Sequence, residues 1–376
     1  MRVVQQVVSS DTPLSAEELP ANAQLVLVFG ARDMLQQPGL FESLRARCAQ
    51  ACIAGCSTAG EICGASVNDG TVVVTAVEFA DTRVRMATET VAHPQDSRAV
   101  GQALTTALLD EGLRHILVLS DGLHVNGSEL VQGLRGSLPA GVNVTGGLAG
   151  DGADFVQTVV LANGPAASGQ VVALGFYGDR LHVGYGSVGG WDVFGPERIV
   201  TRSEGNVLYG LDGESALQLY KTYLGPHAAD LPSSGLLFPM SMRLPGADTT
   251  VVRTILAVDE QDQSMTFAGD IPQGATVQLM KANFNRLVDG AIDAAQVNQS
   301  QLQGRAAQWA VLISCVGRKL VLKQRIEEET EGVAAILGPQ AALCGFYSYG
   351  EIAPHGAFTP CELHNQTMTV TTFAEG

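Results

Sequence analysis

The stretch LVLVFG (Leu25–Gly30) is an unbroken apolar run that ends in glycine, as is typical of a strand buried on both faces. A segment with helical spacing leads from it to a second buried run, ACIAG (51–55). The alternation continues where a helix over 95–111 precedes the buried strand HILVLS (115–120) and another helix over 128–134 follows it. This pattern predicts the α/β class (mixed α+β), with helices packed on the sheets.

The middle of the chain is rich in strands, which follow one another over 157–162, 171–178 and 181–187. Asp179 and Arg180 lie between the last two and predict a hairpin. The glycine-rich stretch GSVGGWDVFGPER comes next and is interpreted as a domain junction. We therefore expect two sheet-based domains, 1–190 and 191–376, and the sequence shows no strict internal repeat.

The last third predicts two long helices, 284–303 and 318–337, on either side of a buried strand, WAVLIS (309–314). Two further strands around a loop with proline and glycine are expected within 344–373.

The composition is that of an acidic chain able to fold. Of its 376 residues, 46% are hydrophobic and only 16% are charged, so a large core can be buried. Asp and Glu outnumber Lys and Arg by 38 to 22, which gives a net charge of −16 without a basic cluster. Because a phosphate backbone or an anionic membrane requires such a cluster, nucleic acid and membrane surfaces are not expected as partners.

Location is predicted from what the sequence lacks. No apolar run is long enough to cross a bilayer, and the N-terminal MRVVQQVVSSD has no apolar core of a secretion signal. Membrane insertion is therefore not expected. Seven cysteines, an odd number, are interpreted as reduced thiols in a cytoplasmic protein.

Four loops directly follow buried strands, the place where ligands of α/β sheets usually bind. The first, GCSTAGEI (55–62), offers four candidate ligand-binding residues: Cys56, Ser57, Thr58 and Glu61. Cys56 could act as a nucleophile, but no histidine lies nearby in sequence to activate it. The alternative is a tight turn whose polar groups cap its own backbone.

The second loop, SDGLHVNGS (120–128), contains Asp121 and His124, an acid and an imidazole suited to proton transfer or metal binding. The alternative is that Asp121 caps the turn and His124 is partly exposed. The third loop, TGGLAGDG (145–152), contributes Gly146, Gly147 and Asp151. Its glycines suit a phosphate cradle or a close approach of two backbones, but Walker A and GxGxxG spacings are absent.

The fourth region combines SCVGRK (314–319) with GFYSYGEIAPHG (345–356). It brings Cys315, Arg318, Tyr349 and Glu351 to strand ends. Arg318 could hold an anionic ligand with its guanidinium fork near a helix start. Glu351 could take the amine of the same ligand, or it could simply pair with Arg318.

A zinc or iron–sulfur site is not expected. Cys48, Cys52, Cys56 and Cys63 lie close in sequence, but no C-x-x-C occurs and the strand over 51–55 separates them. The seven histidines include no H-x-x-x-H pair.

These loops, in this order, resemble the FIST family of bacterial and archaeal sensory proteins, which consist of a FIST-N and a FIST-C domain. The resemblance covers nearly the whole chain. Its N-terminal motifs are GCSTAGEI, DGLHVNGS and TGGLAGDG; its junction motif is GGWDVFGPERIVTRSEGNVLYGLDGESALQLYKTYLG; and its C-terminal motifs are LISCVGRKLVLKQRIEEE, GFYSYGEIAPHG and ELHNQTMTV.

The resemblance implies a stand-alone sensor rather than an enzyme. Such a protein would bind a small molecule, with an amino acid the usual proposal. It would signal in trans to a separate histidine kinase or cyclic-di-GMP enzyme, because the chain carries no kinase, GGDEF or EAL signature.

Two alternatives stay open. One branch of the family is described as haem-binding sensors of nitric oxide, and the axial ligand candidates here are His182, His124 and His364. No C-x-x-C-H motif for covalent haem is present. The other alternative is a thiol-dependent enzyme that uses Cys56 or Cys315.

Overall fold

Three units of one topology make up most of the chain, in a computed structural model that describes residues 1–247, 249–355 and 359–376. Each unit has an outer strand, two adjacent parallel strands with one or more helices between them in sequence, and a last strand that returns antiparallel between the outer strand and the first parallel strand. Between its second parallel strand and its last strand, each unit sends a short arm into the sheet of a neighbour. The α/β class with mixed sheets is thereby confirmed.

The bounds of the elements show this repeat. The first unit consists of β1 (Arg2–Val8), β2 (Leu25–Gly30), α1 (Arg32–Leu35), α2 (Leu40–Arg47), β3 (Cys52–Ser57), the arm β4 (Glu61–Cys63) and β5 (Ser66–Asn68), and β6 (Val72–Glu78). The second consists of β7 (Arg83–Thr90), α3 (Ser97–Leu108), β8 (Leu113–Ser120), α4 (Gly127–Arg135), β9 (Asn143–Leu148), the arm β10 (Val160–Ala162), and β11 (Gln170–Tyr177).

The third unit is interrupted by an insertion. It begins with β12 (Leu181–Val188), and the insertion follows as β13 (Asp192–Glu204), β14 (Val207–Leu211), β15 (Glu214–Ser215), α5 (Ala216–Leu224), β16 (Met240–Arg243), β17 (Val251–Arg253), β18 (Ile255–Asp259), β19 (Ser264–Phe267) and β20 (Thr276–Lys281). The unit then continues with α6 (Phe284–Gln301), β21 (Trp309–Cys315), α7 (Val316–Leu322), α8 (Glu327–Leu337), β22 (Ala342–Ser348), the arm β23 (Gly350–Pro354) and β24 (Cys361–His364), and β25 (Met368–Glu375).

The arms are exchanged in a cycle. The β4–β5 arm of the first unit pairs with β22 of the third, the β23–β24 arm of the third pairs with β9 of the second, and β10 of the second pairs with β3 of the first. The sheet orders are β1-β6-β2-β3-β10, β7-β11-β8-β9-β23-β24 and β12-β25-β21-β22-β4-β5. The insertion forms a separate curled antiparallel sheet.

One central core is shared by the three sheets. It takes alternate residues of the first parallel strand of each unit, among them Leu27, Leu117 and Val311. The residues between them face outward, where α1 and α2, α3 and α4, and α6 and α8 cover the three sheets. Burial on both faces explains why these three strands read as continuous apolar runs in the sequence.

A glycine recurs at the same place in the second parallel strand of each unit. Gly55, Gly146 and Gly345 are paired with Val28, Val118 and Leu312 of the neighbouring parallel strand. A Cβ atom at these glycines would lie 1.9, 2.0 and 1.8 Å from the carbonyl oxygens of those partners. Only glycine therefore permits this close approach of the two strands.

Some predicted elements were wrong. No hairpin forms at Asp179 and Arg180, because β11 pairs with β7 and β8 while β12 crosses to the third sheet beside β25. The helix expected over 318–337 is divided near Lys323, whose φ of 52° reverses the chain. The last segment, expected to hold two strands, contributes the four strands β22 to β25.

The division at 190/191 stays a prediction. The third sheet contains β12, β4 and β5 from before this position, and the second sheet contains β23 and β24 from after it. Among the described residues, no helix is both long enough and apolar enough to traverse a bilayer.

Candidate functional site

The loops at the carboxyl ends of the parallel strands meet at one place. Gly150 N–H donates to Ser57 O at 2.9 Å, which joins the third loop to the first. Ala59 N–H donates to Tyr347 O and Tyr347 N–H to Gly60 O, both at 2.8 Å, which joins the first loop to the fourth region. Three loops from three units, far apart in sequence, thus form one surface.

The second loop joins the same group. Ala149 N–H donates to Ser120 O at 2.8 Å, and Tyr349 N–H donates to Leu148 O at 3.1 Å. The exchange of arms explains why these loops lie together. Each arm begins where the second parallel strand of its unit ends, and it pairs with a strand of a neighbouring sheet, so the two strand ends lie close to each other.

A polar pocket of about 200 Å³ opens where these loops meet. It is lined by the end of the first parallel strand, the first loop, the turn before β6 and the third loop. The charged residues in its lining are Arg32, Asp33, Glu61, Asp69, Asp151 and Asp154. Thr58, Glu61 and Asp151 are the predicted ligand-binding residues that line it.

Two cations lie at this pocket. Arg32 contacts Asp151 at 3.4 Å and Asp33 at 3.1 Å. Lys319, on α7 of the third unit, donates to Ala59 O at 2.8 Å and forms an ion pair with Asp69. Sequence reasoning missed both residues. The signal was available for Arg32, since it follows the buried strand Leu25–Gly30, the same position that marked the other loops.

Asp151 organises the floor of the pocket. Its carboxylate accepts from the backbone N–H groups of Phe155, Val156 and Gln157 at 2.8–2.9 Å. The hydroxyl of Tyr349 also donates to it. Burial and this contact with Asp151 raise the pKa of Tyr349 above its usual range, so the hydroxyl stays a donor.

Glu61 and Glu351 occupy equivalent positions in the first and third units. Glu61 accepts from Thr58 and from the N–H and hydroxyl of Thr71, the latter at 3.1 and 2.7 Å. Glu351 accepts from Ser348 at 2.6 Å and from the N–H and hydroxyl of Thr367 at 3.2 and 2.9 Å.

Burial raises the pKa of both glutamates, that of Glu351 to about 8, although these hydrogen bonds act in the opposite direction. Both side chains are buried, Glu61 at 1% exposure and Glu351 at 0%, but Glu61 lines the polar pocket and Glu351 does not. The two glutamates therefore have equivalent hydrogen-bond partners, but only Glu61 is placed to contact a ligand in the polar pocket.

Arg318 is held inside the protein. Its guanidinium forms a buried ion pair with Glu329 and donates to the carbonyl oxygens of Gly189, Leu287 and Gln366. Neither the guanidinium nor Glu329 has exposed surface. The partner of Arg318 is therefore Glu329, and Glu351 is bonded to Ser348 and Thr367.

The candidate thiols are buried as well. Cys56 has no exposed surface and Cys315 only 3%. Burial raises the pKa of both thiols well above their usual range, so they stay protonated at neutral pH. Ser57 is also buried, and its hydroxyl accepts from Val159 N–H at 3.0 Å.

Asp121 and His124 form the expected pair, with Nδ1 of His124 3.1 Å from the carboxylate. Burial acts to raise the pKa of Asp121, but donors from Gly169, His124 and Leu123 outweigh it and leave the pKa below its usual value. The side chain of His124 is 55% exposed. Asp121 therefore works as a turn cap at this position.

Gly146 and Gly147 lie within β9 rather than in an open loop. A Cβ at Gly146 would strike the Val118 carbonyl, and one at Gly147 would lie 2.7 Å from the Ile313 side chain. Both glycines serve the close approach of strands that was the alternative to a phosphate cradle.

The three haem ligand candidates lie in different surroundings. His364 has no exposed surface, and its Nε2 lies 2.8 Å from Ala353 O. His124 is bonded to Asp121, and His182 lines an opening of about 160 Å³ together with Arg114, Asn143 and Gln301. A haem site needs an imidazole open to an apolar cavity, and these three do not fit that requirement in this structure.

Within the described part of the chain, no three His, Cys, Asp or Glu side chains are grouped so as to hold a metal ion.

Three mixed sheets whose strand-end loops meet beside a polar pocket form an α/β protein of the class in which ligands usually bind at strand ends. The chain belongs to the FIST family: the FIST N domain matches residues 24–214 and the FIST C domain matches residues 216–354. FIST domains are generally sensory domains that bind small ligands in signal transduction.

No curated protein matches the chain. Among solved structures, a cyanuric acid hydrolase from A. caulinodans aligns over 100% of this chain and 99% of its own, at 8% identity and a TM-score of 0.39. A likeness this weak carries no argument about function.

Proposed function

We propose that this protein is a cytoplasmic sensor that binds a small zwitterion, such as an amino acid, in the polar pocket. The observation that carries the proposal is the placement of opposite charges around a space of about 200 Å³ that the first and second units line, with Lys319 of the third unit paired to Asp69 of that lining. Binding there would be reported in trans to a separate histidine kinase or cyclic-di-GMP enzyme.

The charges of the pocket match those of an amino acid. The guanidinium of Arg32 suits a carboxylate, for which its planar fork provides two parallel donors. The carboxylates of Asp33, Asp69 and Asp154 lie on exposed segments of the same lining and suit an ammonium group. A ligand with a single charge would engage only one of these two sets.

The two exposed ion pairs of the pocket, Arg32–Asp33 and Lys319–Asp69, do not prevent a zwitterion from binding. Asp33 and Asp69 are 85% and 75% exposed, so their pairs with Arg32 and Lys319 are worth little in water. A zwitterion can replace both partners at once, because it brings a carboxylate for the cations and an ammonium for the released acids.

The proposal is binding without catalysis. The two thiols that the sequence offers as nucleophiles, Cys56 and Cys315, are buried with raised pKa values.

A thermal-shift screen of the common amino acids tests the proposal. A ligand at about 100 times its Kd should add about 2.7 kcal/mol to the free energy of unfolding. The Arg32→Gln variant should lose this stabilisation, whereas Arg2→Gln should keep it, because Arg2 is 65% exposed and only contacts Glu78 at 3.9 Å. A screen without any stabilising amino acid, or equal stabilisation of both variants, would refute the assignment.

A further inference from the structure

A second cavity, distinct from the polar pocket, lies between the insertion and the second unit and encloses about 320 Å³. Its walls are mainly apolar, and we call it the aromatic cavity. The side chains that form these walls are Leu123, Leu148, Phe155, Leu256, Phe267 and Tyr349. Its volume and apolar lining are those of sites that bind small organic molecules.

Phe155 is held in a costly conformation at this cavity. Its φ of 54° is left-handed, which is rare for a bulky residue without a local cause. Here its N–H donates to Asp151 at 2.9 Å, and its ring stacks on that of Tyr349 with centroids 4.3 Å apart and planes at 12°. The hydrogen bond and the ring stacking therefore hold Phe155 in this conformation, and its ring and that of Tyr349 form an aromatic platform.

The platform remains open on one side. Phe155 is 43% exposed and Leu256, across the cavity in the insertion, is 44% exposed, although both are large apolar residues. Two such side chains facing the same cavity leave apolar surface that a flat ring could cover.

The charged residues that line the aromatic cavity indicate which kind of aromatic molecule it could bind. Among the described residues that line it, Asp270 is the one ionisable group besides the tyrosine, and none is lysine, arginine or histidine. The Asp270 carboxylate accepts from the side-chain amide of Asn126 at 3.1 Å. The nearest cation, Arg253, is buried outside this lining and donates to Asp270 O at 3.2 Å. Within the cavity an anion would meet the Asp270 carboxylate without a lining cation, whereas an ammonium group would gain a partner.

We propose that the aromatic cavity binds a small aromatic amine, with its ring on Phe155 and its ammonium group on Asp270. Phe155 belongs to the second unit and Asp270 to the insertion, and both line the cavity. A bound amine would therefore join the insertion to the three-sheet body, in addition to the contacts of Asp270 with Asn126 and Ser128.

The site does not depend on the polar pocket. Asp151 and Tyr349 form the partition, since Asp151 lines the polar pocket while Tyr349 lines the aromatic cavity. Either site could fail a binding test while the other passes it.

Titration of the full-length protein with 2-phenylethylamine, followed by calorimetry and ligand-detected NMR, tests the proposal. We expect one site with a Kd of about 1 mM or better. Three matched probes separate the contributions: 2-phenylethanol lacks the charge, 3-phenylpropionate reverses it, and propylamine lacks the ring. All three should bind more weakly than the aromatic amine.

Variants locate the binding. Asp270→Asn should weaken binding roughly tenfold or more, because a charged hydrogen bond is lost, and Phe155→Ala should weaken it roughly three- to tenfold. The controls are Asp262→Asn, at an exposed acid elsewhere in the insertion, and Val156→Ala, at a 73% exposed neighbour that does not line the cavity. Circular dichroism verifies that each variant is folded.

The outcomes are distinct. Loss of binding in Asp270→Asn with normal binding in Asp262→Asn supports the site, even if Phe155→Ala fails to fold. Absence of binding by wild-type protein, equal affinity for 3-phenylpropionate, or unchanged affinity in Asp270→Asn would overturn it.

Discussion

Three glycines set the distance between the parallel strands of the three units. Gly55, Gly146 and Gly345 each lie against a backbone carbonyl of the adjacent strand, where even one methyl group has no room. In the first and third units, the segment that begins with this glycine reads G-x-x-[ST]-x-G-E-I, as GCSTAGEI and GFYSYGEI. This eight-residue repeat is too short to be recognised in the sequence alone, and it becomes apparent only when the first and third units are superimposed.

Replacement of Gly55 by alanine should therefore destabilise the protein. The backbone of Gly55 is extended, so the effect comes from the 1.9 Å contact with Val28 O rather than from φ. We expect the free energy of unfolding to fall by about 3 kcal/mol, at the upper end for overpacking. Urea denaturation measures it.

The matched control is Gly164→Ala, where the nearest atom to an added Cβ is 3.9 Å away. This variant should stay within about 1 kcal/mol of wild type. If the Gly55→Ala variant were as stable as the Gly164→Ala variant, β2 and β3 would be able to move apart without a loss of unfolding free energy, which would contradict this prediction.

His115 should make the protein sensitive to acid. Burial lowers its pKa to about 3, from about 6.5 in the unfolded chain. Below pH 6.5 the unfolded state binds the proton and the folded state does not, so stability is lost as pH falls through the window from 6.5 toward 3. The loss should be about 1.4 kcal/mol per pH unit.

Other groups titrate in the same window, notably Glu351, whose raised pKa gives the opposite slope below pH 8. The measurement is therefore the difference in unfolding free energy between wild type and His115→Gln, taken from pH 7 to pH 5. The difference in unfolding free energy should shift against the wild type as pH falls, because only the wild-type protein has an imidazole at this position to protonate on unfolding. A difference in unfolding free energy that stays constant from pH 7 to pH 5 would mean that His115 takes up its proton equally in the folded and unfolded states, which would contradict the lowered pKa.

At the scale of single elements, α8 presents a buried and an exposed ion pair side by side. Glu329 pairs with Arg318 without exposure, whereas Glu328 pairs with Arg325 at 42% and 39% exposure. The sequence places Arg318 near a helix start but does not reveal its partner, because the turn at Lys323 brings the next helix back onto it.

Neutralising the buried acid should be far more damaging than neutralising the exposed one. Glu329→Gln leaves the guanidinium of Arg318 buried without a counter-charge, and should cost about 3–5 kcal/mol in unfolding free energy. Glu328→Gln should cost about 0.5 kcal/mol. Denaturant unfolding of both variants compares them, and equal losses would contradict a closed interior around Arg318.

The exchanged arms mark the limit of prediction from the sequence. The buried strands β2, β8 and β21 were predicted because an apolar run needs only its own composition to be recognised. The β4–β5 and β23–β24 arms are short and pair with strands roughly 200 to 300 residues away in sequence, and no local pattern encodes the partner of a strand. The false hairpin at Asp179 and Arg180 has the same cause.

For the whole molecule, arm exchange predicts that the halves 1–190 and 191–376 depend on each other. Residues 1–190 alone lack the β23–β24 partner of β9, the β22 partner of β4 and the β25 partner of β12. They also lack Trp309, Ile313 and Phe373 of the shared core. We expect this half to be unfolded or aggregated alone and soluble when co-expressed with 191–376.

Cooperative thermal unfolding of 1–190 alone, with a dispersed amide NMR spectrum, would contradict this dependence. It would instead support the two independent domains that the sequence predicts.

The site was predicted in part. Strand-end reasoning selected Thr58, Glu61 and Asp151, which line one pocket because parallel strands of an α/β sheet deliver their loops to the same edge, and their role in ligand binding stays a prediction. It could not separate residues that line the pocket from residues packed in the interior, and Cys56, Cys315 and Arg318 belong to the second group. Access depends on three-dimensional packing, which a strand-end position does not reveal.

In the proposed function, one zwitterion binds in the polar pocket that the first and second units line and that Lys319 of the third unit contacts through Asp69. Calorimetric titration of the best amino acid from the screen tests it most directly, with one variant from each unit: Arg32→Gln, Asp154→Asn and Lys319→Gln. The account predicts one site per chain in wild type and roughly tenfold or greater loss of affinity for Arg32→Gln, with measurable losses for the other two. Unchanged affinity in all three variants would contradict it.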